Sequence, residues 1–166
     1  MQMQIRDALD SDMSGILEIY NDAVLTTTAV WNETPRSADE QRQWFETKQA
    51  KGHPVLVAIH EGGVAGFCSY GPFRAWYGYR FTVENSIYVS AAHRRQGIAR
   101  LLLDALVDRA RLQGLHLMIA GIEAENAVSI RLHEKAGFVE AGRLHEVGFK
   151  FGRWLDLTFM ERRLRE

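Results

Sequence analysis

The stretch HRRQGIARLLLDALVDRAR, residues 93–111, sets basic side chains and a glycine directly ahead of an apolar helical repeat. From Gly97 onward, Ile98, Leu101, Leu102, Ala105 and Leu106 recur at the i, i+3, i+4 spacing of one helix face, while Arg100, Asp104, Asp108 and Arg111 take the outer stripe. That spacing predicts an amphipathic helix ended by Gly114. Just upstream, TVENSIYVS (82–90) alternates, with Val83, Asn85, Ile87 and Val89 on one face and Thr82, Glu84, Ser86 and Tyr88 on the other. A strand therefore runs into a helix at Arg94–Ala99. A helix amino end presents unsatisfied N–H groups and the positive end of the helix dipole, so it favours an anion, phosphate among them. Gly97 lets the backbone approach such a ligand without a Cβ in the way, and Arg94, Arg95 and Arg100 can add charge. The stretch lacks the Gly-Lys-Ser/Thr ending of a P-loop and the triple glycine of a dinucleotide-binding turn.

Outward from this junction the chain reads as alternating elements. MQIRDA (3–8) supplies a short strand, and DSDMSGILEIYNDAV (10–24) a helix with Met13, Ile16, Leu17 and Tyr20 at helical spacing. SADEQRQWFETKQAKG (37–52) opens on a capping box, Ser37 with Glu40, and closes on Gly52. PVLVAIH and VAGFCSYG, joined around Gly62 and Gly63, form a hairpin, and PFRAWYGYRF (72–81) is an aromatic loop carrying two arginines. LHLMIAGIE is a buried strand and NAVSIRLHEKAGF a short helix closed by Gly137. The tail holds two further strands, the last being RWLDLTFMERR. The order β-α-α-β-β-β-α-β-α-β-β, without repeat or long linker, predicts a single α/β domain over residues 1–166 with a mixed sheet.

Composition narrows the function. A length of 166 residues and 46% hydrophobic content suit one ordinary domain with a core. Twenty Lys plus Arg against 21 Asp plus Glu leave a charge of −1, without the basic excess that binding a nucleic-acid backbone requires. Cys68 is the only cysteine, so no internal disulfide forms, no paired-thiol metal site exists, and a reducing, cytoplasmic setting fits. The start MQMQIRDALD has neither the apolar run of a signal peptide nor that of a membrane span. His53, His60, His93, His116 and His145 show no metal-ligand spacing, so no metal is expected.

RRQGIA matches the Arg/Gln-x-x-Gly-x-Gly/Ala motif of the GCN5-related N-acetyltransferases (GNAT), and NAVSIRLHEKAGF resembles the Asn-containing helix and Gly-Phe ending that follow it there. AVWNETP, TVENSIYV and KFGRWLDLTFM are similar to the phosphinothricin and methionine sulfoximine N-acetyltransferase branch, so the resemblance runs over nearly the whole chain. It implies a central, mostly antiparallel sheet splayed at an acetyl-CoA cleft. The amides of Arg95, Gln96, Gly97, Ile98, Ala99 and Arg100 then wrap the pyrophosphate, the backbone of Ile87, Tyr88 and Val89 pairs with the pantetheine arm, and Asn126 and Ser129 contact the cofactor. Asn126 also stands where a helix N-cap belongs, and capping alone is the other reading.

Acetyl transfer needs a neutral amine, so a proton must leave the nitrogen and the departing thiolate must be stabilised or protonated. Glu84 is the candidate base, directly or through water; the alternative is an ion pair with Arg74 or Arg80. Many members of the resembled superfamily place Tyr, as the acid facing sulfur, where LHEKAGF has His133. Imidazole titrates at about 6.5 and could serve as that acid, or His133 could be a packing or cofactor contact. Arg74 and Arg80 suit a small carboxylate, because guanidinium binds it in bidentate fashion. The resemblance places Arg74, Ala75, Trp76 and Tyr77, with Glu84, Asn85 and Ser86, around the acceptor. Trp31 is a candidate wall, with plain packing as its alternative; Trp154 is read as packing. The acceptor expected is a small amino acid or analogue, attacked directly in a ternary complex. A protein or peptide amine and a non-catalytic acyl-CoA sensor are the competing readings. The aromatic tail FKFGRWLDLTFM and the dimeric resembled branch imply a homodimer.

Overall fold

The computed structural model describes residues 3–165. Its elements follow the sequence reading in order: β1 (Gln4–Asp7), α1 (Met13–Thr26), α2 (Ala38–Ala50), β2 (Val55–His60), β3 (Gly63–Pro72), β4 (Thr82–Val89), α3 (Ile98–Leu112), β5 (Leu117–Glu123), α4 (Ala127–Lys135), β6 (Val139–Lys150) and β7 (Arg153–Arg163). Short 3-10 turns precede α1, interrupt the aromatic loop at Tyr77–Tyr79 and follow β4 at Ala91–His93. The Ser37–Glu40 capping box forms as read: Ser37 Oγ accepts from the Glu40 amide and the Glu40 carboxylate accepts from the Ser37 amide. The first hairpin turns one residue earlier than its glycines suggest. His60 pairs with Gly63, and the two loop residues, Glu61 and Gly62, both have positive φ (51° and 82°), the primed turn that matches strand twist.

The seven strands form one sheet in the order β1-β2-β3-β4-β5-β7-β6. Every pairing is antiparallel except β4 with β5. That parallel pairing is short, running only from Thr82–Leu117 to Glu84–Ile119. Beyond it β4 stays bonded to β3 and β5 to β7, so Asn85–Val89 and Ala120–Glu123 face each other as two edges with no ladder between them. The sheet is splayed there.

Side-chain alternation assigns the two faces. Val83, Ile87 and Val89 of β4, with Met118, Ala120 and Ile122 of β5, pack beneath α3 in the larger core, where Leu102, Leu103 and Leu106 are wholly buried. α3 approaches closely over Gly66 of β3, where an added Cβ would lie 3.2 Å from Leu102 and 3.3 Å from Ile98 of the helix, and 2.9 Å from the Tyr88 carbonyl of the neighbouring strand. The opposite face carries α1 and α2 over Val55, Val57 and Phe67, joined by Tyr88. Tyr88 stacks edge-on against Tyr20 at 5.9 Å and lies beside Phe67 at 5.1 Å. The Glu84 face is therefore apolar toward α1 and polar only at Thr82–Ser86.

The segment between α1 and α2 is fastened to the β6–β7 turn. Lys150, wholly buried, donates from Nζ to the carbonyls of Val24, Thr27 and Val30 at 2.6, 2.7 and 2.5 Å. The Phe151 amide donates to Glu33, and Trp31 covers Gly148 so closely that a Cβ there would fall 2.3 Å from its ring.

Candidate active site

The site is built around the point where β4 and β5 part. Glu84 is the last β4 residue in the parallel ladder, partly buried, on the face away from α3. Its carboxylate leans over Gly121 of β5, beside Leu157 of β7. Burial raises its pKa above the ordinary carboxylate value, and the positive charge of Arg74 pulls back against that rise. Among the described residues Glu84 forms no ion pair with Arg74 or Arg80. Arg74 lies over the Phe73 ring at 5.1 Å. Arg80 is folded into its own loop, between the Tyr77 and Phe81 rings at 4.2 and 4.4 Å and donating to the Tyr77 carbonyl. The two arginines thus do not share one site in this conformation. Ala75, Trp76 and Tyr77 are exposed at the loop tip, Trp76 at 81% of its surface.

On the α3 side of the same junction stands Asn85, paired with α4. His133 is 3% exposed; its Nδ1 lies 2.8 Å from the Ser129 carbonyl and its Nε2 3.4 Å from the Asn85 side-chain amide. A carbonyl only accepts, so Nδ1 carries the proton and the Nε2 lone pair faces Asn85. Burial lowers the His133 pKa, the Ser129 bond opposing it, which keeps the ring neutral at pH 7. The geometry is that of an acceptor; service as an acid requires a second proton that burial resists.

At the start of α3, Gly97 adopts the left-handed conformation, φ 79°, as does Arg95 at φ 63°. Its carbonyl accepts from the amides of Arg100 and Leu101, while the amides of Arg95, Gln96, Gly97, Ile98 and Ala99 have no backbone acceptor among the described residues. Five successive donors are thus left free at a helix amino end, a position that favours an anion. Arg100 departs from expectation. Its amide is spent on Gly97, and its guanidinium is held by Asp104 at 2.8 Å and by the Lys135 carbonyl at 2.8 Å, so it does not reach back to this loop. The i, i+4 acid won it.

The β4 edge at Ile87, Tyr88 and Val89, unpaired on its β5 side, leads from this loop to Glu84, and Asn126 and Ser129 stand at the first turn of α4, the helix whose His133 meets Asn85 of that strand. Asn126 does cap α4, its Oδ1 accepting from the Ser129 amide at 3.2 Å, which leaves its side-chain NH2 available to a ligand. Extended edge, amide nest and side-chain donors together fit a pyrophosphate with a strand-like amide arm, which are the parts of acetyl-CoA. Among the described residues no cluster of three His, Cys, Asp or Glu side chains is placed to hold a metal. Sequence reasoning missed Gly121 and Leu157 beside the Glu84 carboxylate, and Lys150, which fastens the segment after α1. A glycine inside a strand pattern was the available signal for the first.

A sheet that parts beside a helix amino end with free amides is the arrangement that the resemblance to the acyl-CoA-using N-acetyltransferases implies. The chain belongs to the acetyltransferase (GNAT) family, whose model matches residues 16–138. It is 52% identical to the L-methionine sulfoximine/L-methionine sulfone acetyltransferase of Pseudomonas aeruginosa over 97% of this chain and 94% of that one. It is 37% identical to the phosphinothricin N-acetyltransferase of Alcaligenes faecalis, over 96% and 82%. Among solved structures, the yncA protein of Salmonella typhimurium with its cofactor acetyl-CoA superposes with a TM-score of 0.96 at 49% identity, covering 99% and 95% of the two chains. A Brucella melitensis structure described as ribosomal-protein-alanine N-acetyltransferase does so at 0.96 and 51%, covering 96% and 99%.

Proposed function

We propose that this chain transfers acetyl from acetyl-CoA to the α-amine of a small amino acid or analogue, of the methionine sulfoximine, methionine sulfone and phosphinothricin type. The observation that carries it is a partly buried carboxylate of raised pKa, Glu84, placed where β4 and β5 part, on the strand that runs on toward the free amides at Gly97. Bound along that line, acetyl-CoA supplies the thioester whose acetyl group the amine accepts. The amides of Arg95–Ala99 hold the pyrophosphate, the β4 edge at Ile87–Val89 aligns the pantetheine arm, and Asn126 and Ser129 hold it from α4. Glu84, directly or through water, takes the proton from the acceptor's ammonium, and a raised pKa suits a base working near neutrality. Arg74 is the nearer of the two candidates for the acceptor carboxylate, since its charge already acts on Glu84; Arg80 joins it if the loop rearranges on binding. Ser86, on the same face as Glu84, borders the acceptor beside it, and Asn85 enters the site from the other face of the strand. His133 in its resting state fixes Asn85 and becomes an acid toward the leaving thiolate only after taking up a proton.

The homodimer belongs to the same reading. Leu144, Val147, Phe149, Phe151 and Trp154 of the β6–β7 hairpin are 44–62% exposed, an apolar surface that a second copy would cover. Sedimentation at micromolar concentration checks it, a monomer refuting it. A cytoplasmic setting is also part of the reading, supported by the lone reduced Cys68, which is buried. Among the described residues no helix is long and apolar enough to cross a membrane.

One observation favours a second reading, the name of the Brucella structure, which points to a protein amino terminus. Thiol release from acetyl-CoA, compared across methionine sulfone, methionine sulfoximine, phosphinothricin, a peptide beginning with alanine and a lysine peptide, separates the readings. We expect turnover on the free amino acids. Turnover on peptides alone would establish the second reading, and acetyl-CoA binding without turnover on any acceptor would make the chain a sensor. Glu84→Gln should lower kcat/KM for the acceptor by about 10²-fold or more. A full rate across roughly pH 6 to 9 would remove Glu84 as the base.

A further inference from the structure

Gly121 sits in the middle of β5 on the face that carries Glu84, and its backbone is not in the left-handed region that needs glycine. In a strand, glycine forfeits backbone entropy and a packing side chain, so conformation gives no reason for it here. Space does. A Cβ at Gly121 would lie 2.9 Å from Glu84 Oε1 and 3.6 Å from Leu157 Cδ1. The volume where a side chain would begin is filled by the carboxylate of the residue that stands at the parting of β4 and β5. We propose that Gly121 is a positioning residue, whose missing side chain is the seat of the Glu84 carboxylate and so sets where the base meets the acceptor amine. This rests on Glu84 being the base.

The group an added methyl would displace is the tip of a flexible side chain, not backbone, so the sheet can keep its register while the carboxylate swings away. Displacement turns it toward solvent and removes the burial that raises its pKa. Gly121→Ala should therefore lower kcat about 100-fold, the scale of an ångström-sized misplacement of a catalytic group. The acid limb of its pH–rate profile should shift to lower pH. Thermal midpoint and acetyl-CoA affinity should match the parent protein. A readout free of turnover is the Glu84 side-chain carboxyl followed by carbon-13 NMR in the protein without acetyl-CoA, whose titration should move down in Gly121→Ala.

Glu84→Asp supplies the rescue, because it draws the carboxylate back by one carbon–carbon bond, about 1.5 Å. The double variant should be faster than the product of the two single effects requires, the mark of two residues sharing one space. Parent-like kcat and an unshifted titration in Gly121→Ala, with Glu84→Gln impaired, would overturn the proposal alone. So would a lowered thermal midpoint with no rescue by Glu84→Asp, which would make Gly121 a packing residue. Full activity in Glu84→Gln would overturn the base reading beneath it.

Discussion

Lys150→Met tests whether the wall between α1 and α2 is held by one buried cation. The ammonium is the shared donor for three carbonyls, those of Val24 at the last turn of α1 and of Thr27 and Val30 beyond it. Its burial lowers its pKa, and the negative charge of Glu33 opposes that fall. Methionine keeps the length of the side chain and opens no large cavity, so the change isolates the polar contacts. Val24 is wholly buried and Val30 nearly so, and water can replace the lost donor only at Thr27. Two buried acceptors without a partner cost about 1–3 kcal/mol each. Relief from burying the ammonium returns part of that, and the expected net loss is about 3 kcal/mol.

For a domain of this size such a loss lowers the midpoint by about 10 °C. Urea unfolding read by tryptophan fluorescence gives the free energy, and thermal unfolding gives the midpoint. Limited proteolysis should cut first within 27–35, the stretch that Lys150 releases. A loss below about 0.5 kcal/mol, the size of an ordinary surface substitution, would show that the three contacts are not what holds the segment. Lys150→Arg is the control for charge without fit: the larger guanidinium has no room in a fully buried site, so it should also destabilise.

Two further outcomes bear on the site itself. Gly97→Ala places a Cβ in open space, so its cost is purely that of a left-handed backbone, about 1–2 kcal/mol; calorimetry should show acetyl-CoA binding weakened about tenfold or more while the acceptor's KM holds, and unchanged affinity would refute the amide nest. Cys68→Ala should leave turnover intact, because the thiol is wholly buried, donates to the Leu102 carbonyl at 3.5 Å and has its pKa pushed well up by burial. An acetyl group on Cys68 by mass spectrometry, with turnover lost in Cys68→Ala, would replace direct transfer by a covalent relay.

The order of elements was legible because each announces itself locally: alternation in TVENSIYV, a heptad-like stripe in IARLLLDALV, and a capping box at Ser37. The left-handed Gly97 and the free amides around it were legible for the same reason, since a glycine ahead of an amphipathic helix is a local statement about φ and N–H groups. What misled or stayed hidden involved competition between neighbours or contact across the chain. Two arginines in one loop look like a carboxylate clamp, but Tyr77 and Phe81 lie as close in sequence as any ligand could lie in space, and they take Arg80 first. Asp104 takes Arg100 by the helical i, i+4 geometry, which the sequence does display, so that loss could have been read. Lys150 could not: its partners lie 120–126 positions away, and nothing in FKFG separates a buried cation from an exposed one. Gly121 falls between these cases. A glycine within LMIAGIE says that something comes close, and only the fold, by laying β5 beside β4 for three residues and then parting them, says that the something is Glu84. The carboxylate is therefore placed by two strands, with β4 supplying the group and β5 the space it occupies, and the alternation of TVENSIYV alone shows only the first half of that arrangement.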